Sequence, residues 1–103
     1  MTSPKPTHYR LTPAAEHDLE DIWQYTARNW SEDQADSYVD ALEGAFNTLL
    51  AMPEIARERT EFNPPVRIHP SAQHAIIYRV QGDHIVILRV LGGRQDWKVL
   101  LEE

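Results

Sequence analysis

Apolar residues recur at helical spacing through the first half of this chain and at strand spacing through the second. Residues 7–11 (THYRL) predict a short strand with Tyr9 and Leu11 on one face. Thr12-Pro13 then reads as a helix start, with Thr as N-cap and Pro in the first turn, where its missing N–H costs nothing. Ala15, Leu19, Ile22, Trp23, Thr26 and Trp30 follow the rhythm of an amphipathic helix. Glu16, Asp18, Glu20 and Asp21 sit toward the positive end of its dipole. A second helix begins at Ser31. SEDQ has the form of a capping box, Ser31 accepting from the Gln34 amide and Gln34 reaching back to the Ser31 amide. Ala35, Tyr38, Val39, Leu42, Phe46, Leu49 and Leu50 form its apolar stripe, and Pro53 stops it. So tight a join predicts an antiparallel helical hairpin.

Past the hairpin the period changes. Residues 54–65 are a polar loop closed by Pro64-Pro65, residues 66–69 a short strand and residues 70–73 a turn. HAIIYRV (74–80) and HIVILRVL (84–91) then flank the turn QGD as a β-hairpin. Strict alternation puts Ile76, Tyr78 and Val80 on one face of the first strand and Ala75, Ile77 and Arg79 on the other. In the second it sets Ile85, Ile87, Arg89 and Leu91 against Val86, Leu88 and Val90. A sheet apolar on both faces needs covering on both. Two helices cover one face. The other is left for the tail GGRQDWKVLLEE (92–103) or for an amphipathic segment of another protein. Gly92-Gly93 breaks the last strand, and residues 96–101 fit a short helix or an edge strand equally. The order is β-α-α-β-β-β, an α+β domain with a helical hairpin packed on a small twisted antiparallel sheet and a short C-terminal tail. One domain spans residues 1–103, with residues 1–6 a loose end.

Composition narrows the function. With 42% hydrophobic and 25% charged residues, the chain is that of a soluble globular protein. There is no cysteine, hence no disulfide framework and no thiolate metal site, and a reducing cytoplasm is the simplest setting. The N-terminus has no signal-peptide core, and no run approaches the roughly 20 apolar residues that span a bilayer. The net charge of −6 argues against general nucleic-acid binding, and no sequence-specific contact with nucleic acid is expected. The acids concentrate before Asn63, whereas Arg67, Arg79, Arg89, Arg94 and Lys98 follow it. His8, His17 and His84 are scattered, and no pair shows metal-ligand spacing. With no Gly-rich phosphate loop and no nucleophile elbow either, no cofactor and no metal is expected.

Four blocks in order carry a family resemblance: YRLTPAAEHDLEDIWQYTARNW, QADSYVDALEGAFNTLLAMP, HAIIYRV and IVILRVLGGRQD. Together, from Tyr9 to Asp96, they resemble the ParE branch of the RelE/ParE toxin superfamily. The resemblance implies a bacterial growth-arrest toxin of a type II toxin–antitoxin pair. It would inhibit DNA gyrase by binding rather than by catalysis, and a ParD-like antitoxin would neutralise it in a hetero-oligomer. On that reading the gyrase-facing surface includes Arg89, Gly92, Gly93, Arg94, Asp96 and Trp97. The antitoxin would lie across the hairpin groove and open sheet face near Trp23, Leu42, Phe46, Tyr78 and Arg79. A ribosome-dependent mRNA interferase of the RelE kind is the alternative, using His74, Arg79 and Arg89 as the base and acid groups that such cleavage needs. Gly92-Gly93 stands where many members of the superfamily have a histidine or tyrosine, which weakens the nuclease reading. An inactive ParE-like interaction module is the third possibility. Arg79 and Arg89 have a plainer reading too, as partners of acids on the helices.

Overall fold

A computed structural model describes residues 5–92. β1 (His8–Leu11) leads into α1 (Pro13–Asn29) and α2 (Glu32–Ala51), followed by β2 (Glu58–Arg59), β3 (Val66–Ser71), β4 (His74–Gln81) and β5 (His84–Gly92). The five strands form one sheet in the order β1-β5-β4-β3-β2. β2 is a two-residue strand inside the expected loop, and it pairs with β3. The sheet is mixed rather than wholly antiparallel, because β1 runs parallel to β5. The helical hairpin accounts for this. It carries the chain from the end of β1 across one face of the sheet, as a parallel connection requires.

Both predicted helix caps are present. Thr12 has extended backbone and its Oγ1 accepts from Ala15 N at 3.1 Å, with Pro13 opening α1. Ser31 Oγ accepts from Gln34 N at 3.0 Å at the start of α2. The helices join through Trp30 and Ser31 alone, and Trp23 Nε1 donates to Asp36 Oδ1 across the pair at 2.8 Å. Trp30 closes α1 with its backbone N–H but is 70% exposed, so it does not continue the buried stripe. Ala15, Leu42, Phe46 and Leu49 pack on Ile76, Tyr78, Ile85, Ile87 and Val90 to form the main core.

The far face of the sheet has its own smaller core. Phe62, from the segment between β2 and β3, packs with Val66, Ala75, Ile77 and Leu91, flanked by Ile68 and Leu88. Part of that face is therefore covered by a residue that the sequence pattern assigned to a polar loop. The tail expected there, including Gly93, Arg94, Asp96 and Trp97, lies outside the described residues. Among the described residues, no helix is long and apolar enough to cross a membrane.

Strict alternation fails at one place. Ile77 pairs with Arg89 but Tyr78 pairs with Ile87, so Leu88 is an extra residue in β5. This bulge reverses the phase. Val90 joins Ile85 and Ile87 in the main core, and Leu91 joins Leu88 on the far side, the opposite of the uninterrupted pattern. Thr12 takes both carbonyls at the bulge: its N donates to Ile87 O at 3.0 Å and its Oγ1 to Leu88 O at 2.8 Å. One side chain thus caps α1 and stitches it to the irregular point of β5. Replacing Thr12 by Ala removes both roles and is expected to cost about 1–3 kcal/mol. Urea unfolding with an unchanged m-value checks this, and Thr12→Ser should recover most of the loss.

Candidate functional site

Next to the bulge, α1 and β5 are joined by charge. Asp18 Oδ2 and Oδ1 accept from Arg89 Nε and NH2 at 2.8 and 2.9 Å, a two-pronged pair. Asp18 Oδ2 also accepts from the backbone N of Val90 at 2.9 Å. The Asp18 side chain is 11% exposed and that of Arg89 28%, so the pair is largely out of water. Bidentate, charge-assisted bonds of this kind fix orientation as well as adding stability. Their effect is to hold the C-terminal end of β5 against α1. Of the two readings of Arg89, pairing with a helix acid is the one observed.

His74 lies beside this pair. It opposes Gly92 in the β4–β5 ladder, and its Nδ1 is hydrogen-bonded to Tyr38 Oη of α2 at 2.6 Å, with the rings edge to face. Burial pushes the His74 pKa down, partly countered by the Asp18 carboxylate. Asp18, Tyr38, His74 and Arg89 thus form one half-buried polar cluster that ties both helices to the strand ends. Sequence spacing could not reveal it, because its members come from four elements.

The residues of the nuclease reading do not converge. His74 and Arg79 stand at opposite ends of β4, five residues or roughly 17 Å apart. Arg89 is engaged by Asp18. No base, acid and phosphate-binding cation meet at one point from this trio.

A groove of about 730 Å³ opens at the other end of β4, between the segment after α2 and the strands. Met52, Ile55 and Val80 are exposed apolar residues at its wall, and Lys5, Arg67 and Arg79 supply cations. Two bonds shape it: Tyr78 Oη donates to Pro53 O at 2.8 Å, and Arg67 NH1 donates to Ala56 O at 2.6 Å. Arg79 Nε is buried with no hydrogen-bond partner among the described residues. An orphaned buried donor is costly, and an incoming acceptor would relieve it.

The residues expected to touch an antitoxin therefore divide. Leu42, Phe46 and Tyr78 are shut inside the main core and offer no surface, because each is needed to fill the space between hairpin and sheet. Trp23 is half-buried at a shallow cleft of about 320 Å³ on the hairpin. Arg79 lines the large groove. Met52, Ile55 and Val80 were not singled out from the sequence. Met52 and Ile55 lie past the apolar stripe of the helix and carry no period, and Val80, in phase with Ile76 and Tyr78, reads as a core position.

A helical hairpin on one face of a small mixed sheet, with the sheet's last strand pinned to the first helix, defines the class. The fold matches a solved structure described as the chromosomal ParDE TA system from P. aeruginosa, with a TM-score of 0.73 at 21% identity, over 85% of this chain and 96% of that one. The sequence is 37% identical over 91 residues to Toxin ParE1 of Mycobacterium tuberculosis, covering 87% of this chain and 93% of that protein. It is 32% identical over 83 residues to Toxin ParE1 of Caulobacter vibrioides, covering 81% of this chain and 85% of that protein. Residues 9–97 match the family model described as the ParE toxin of type II toxin-antitoxin system, parDE. The chain belongs to the ParE toxin family.

Two outcomes follow from the polar cluster. Asp18→Asn should destabilise the fold by about 1.5–3 kcal/mol, since Arg89 loses its charged acceptor; chemical denaturation measures it. For His74 the folded pKa lies below the ordinary value of 6.5. The unfolded chain then binds the proton more readily, so stability should fall as pH drops through and below 6.5. His74→Gln should flatten that slope, and an identical pH dependence in the variant would contradict the assignment.

Proposed function

We propose that the protein is the toxin of a type II toxin–antitoxin pair, that it arrests growth by binding DNA gyrase, and that a ParD-like antitoxin neutralises it. The family match over residues 9–97 carries this reading, because it spans both helices, the sheet and the start of the tail in one block. Poisoning means stabilising the state in which gyrase holds cleaved DNA, so the toxin must bind that state more tightly than the others. The contact surface is assigned to Arg89, Gly92 and the segment that follows, through Trp97. The Asp18–Arg89 pair supports this, because it holds the end of β5, next to that segment in sequence, against α1. The action is read as binding rather than catalysis, and the separation of His74 from Arg79 supports that.

The antitoxin is assigned to the groove at Met52, Ile55, Val80 and Arg79, with the separate cleft at Trp23 on the hairpin as a second contact. An amphipathic segment with apolar residues and a carboxylate suits this lining, burying exposed side chains at roughly 25 cal/mol per Å² and pairing the Arg79 guanidinium.

Purified protein is expected to inhibit gyrase supercoiling, and deletion of residues 97–103 should abolish the effect while leaving the fold intact by circular dichroism. Induction without antitoxin should arrest growth with a DNA-damage response. Rapid codon-specific mRNA cleavage would instead establish a RelE-like interferase, and no growth effect would favour an inert module. Arg79→Ala should weaken antitoxin binding by more than about tenfold, equivalent to 1.4 kcal/mol or more.

A further inference from the structure

The parallel pairing of β1 with β5 brings together two histidines that are remote in sequence. His8 and His84 are direct partners in the register, and their rings stack with centroids 5.4 Å apart and an interplanar angle of 14°. Asp83 is adjacent, at the tip of the β4–β5 turn. Gly82, with φ of +59°, allows that tight turn, and Thr7 N donates to Asp83 O at 2.7 Å, holding the turn against the start of β1. The scaffold is therefore two paired strands and a pinned turn, which place ligands more reliably than a loop does.

We propose that His8, Asp83 and His84 form a binding site for a divalent transition-metal cation of the zinc or nickel kind. One ligand atom from each lies within 4.8 Å of the others. Tetrahedral ligands at Zn–N distances of about 2.0–2.1 Å are about 3.3 Å apart, so closure requires movements of at most about 1.5 Å. His8 and Asp83 are exposed and His84 half-buried, which permits that movement.

The surrounding hydrogen bonds already favour the required ring form. Thr7 Oγ1 donates to Asp83 O at 3.2 Å, so its contact with His8 Nδ1 at 2.9 Å is served by an Nδ1–H donor. That leaves the Nε2 lone pair of His8 for a cation. This is the usual arrangement around a bound metal, the second nitrogen of the ring being fixed by an acceptor. His84 Nδ1 lies 3.2 Å from Asp83 Oδ1, about the separation of two ligands on one tetrahedral ion.

The expectation of no metal rested on spacing along the chain. Seventy-six residues separate His8 from His84 in sequence, and only the parallel register closes that gap. Thr7 and Asp83 are separated by the same interval and already touch. A cation here would tie the four-residue edge strand β1 to β5, and with it the entry into α1 at Thr12. Binding only the folded state, it would raise stability in proportion to its occupancy.

The test is calorimetric titration of ZnCl2 into untagged, full-length protein freed of metal with EDTA. Thermal unfolding is followed in parallel, with and without zinc. Saturable 1:1 binding and a higher unfolding midpoint are expected. His8→Gln and His84→Gln should each weaken binding by more than about tenfold, and Asp83→Asn should weaken it as well. His17→Gln is the control, since His17 forms only an exposed i,i+4 pair with Asp21. Nitrogen chemical shifts of the wild-type histidines should move at His8 and His84 alone, which keeps the test decisive should a variant fail to fold. Absence of saturable binding, binding unchanged in both histidine variants, or one cation per two chains would overturn the proposal.

Discussion

One carboxylate, that of Asp18, holds the molecule's most irregular point in place. It accepts two bonds from Arg89 and one from the backbone of Val90, immediately after the bulge at Leu88. Without the bulge, Val90 would point away from the helices and Leu91 toward them, and the two cores would exchange residues. With it, β5 can contribute to both, and its freed carbonyl at Leu88 is taken by the residue that caps α1. The inward-facing charge is tolerable because its partner is bidentate and close, and leaving either ion alone in that position would be far worse than the pair.

That arrangement also connects structure to the proposed activity. A toxin that acts by binding needs a surface presented rigidly, since every residue ordered on binding costs affinity. The clamp holds the end of β5 against α1, and the Tyr38–His74 bond braces the opposing strand from α2. The large groove lies at the other end of β4 from His74 and Gly92.

Much of the fold was legible in the sequence, for identifiable reasons. Thr12-Pro13 and the SEDQ box are local devices whose physics is complete within four residues, and the Thr12 and Ser31 side chains each accept from the amide three residues on, as read. The alternation of HAIIYRV correctly set Ile76 and Tyr78 on one face and Ala75 and Ile77 on the other, without saying which face the helices cover. Three things were not legible. The bulge at Leu88 depends on Thr12 and Asp18, which are 76 and 72 residues from their partners. The cover over the far face comes from Phe62, a lone apolar residue in a polar segment that carries no period. The register of β1 against β5 is a tertiary fact, and it decides whether His8 and His84 are neighbours. In the candidate site, Arg89 and Arg79 were found by their oddity in apolar strands. Leu42, Phe46 and Tyr78 were drawn in as surface only because an apolar stripe does not say which of its members meet solvent.

The central claim is that gyrase is bound through the end of β5, which the clamp at Asp18 holds, together with the residues that follow it. Its most direct test is the amount of cleaved plasmid DNA trapped on gyrase when the protein is added, measured after detergent and protease treatment. Wild-type protein is compared with Asp18→Asn at a temperature where both are folded. The account predicts trapped cleavage with the wild type and a marked loss with Asp18→Asn. Equal trapping by the two would contradict the role of the clamp, and no trapping by either would contradict gyrase poisoning itself.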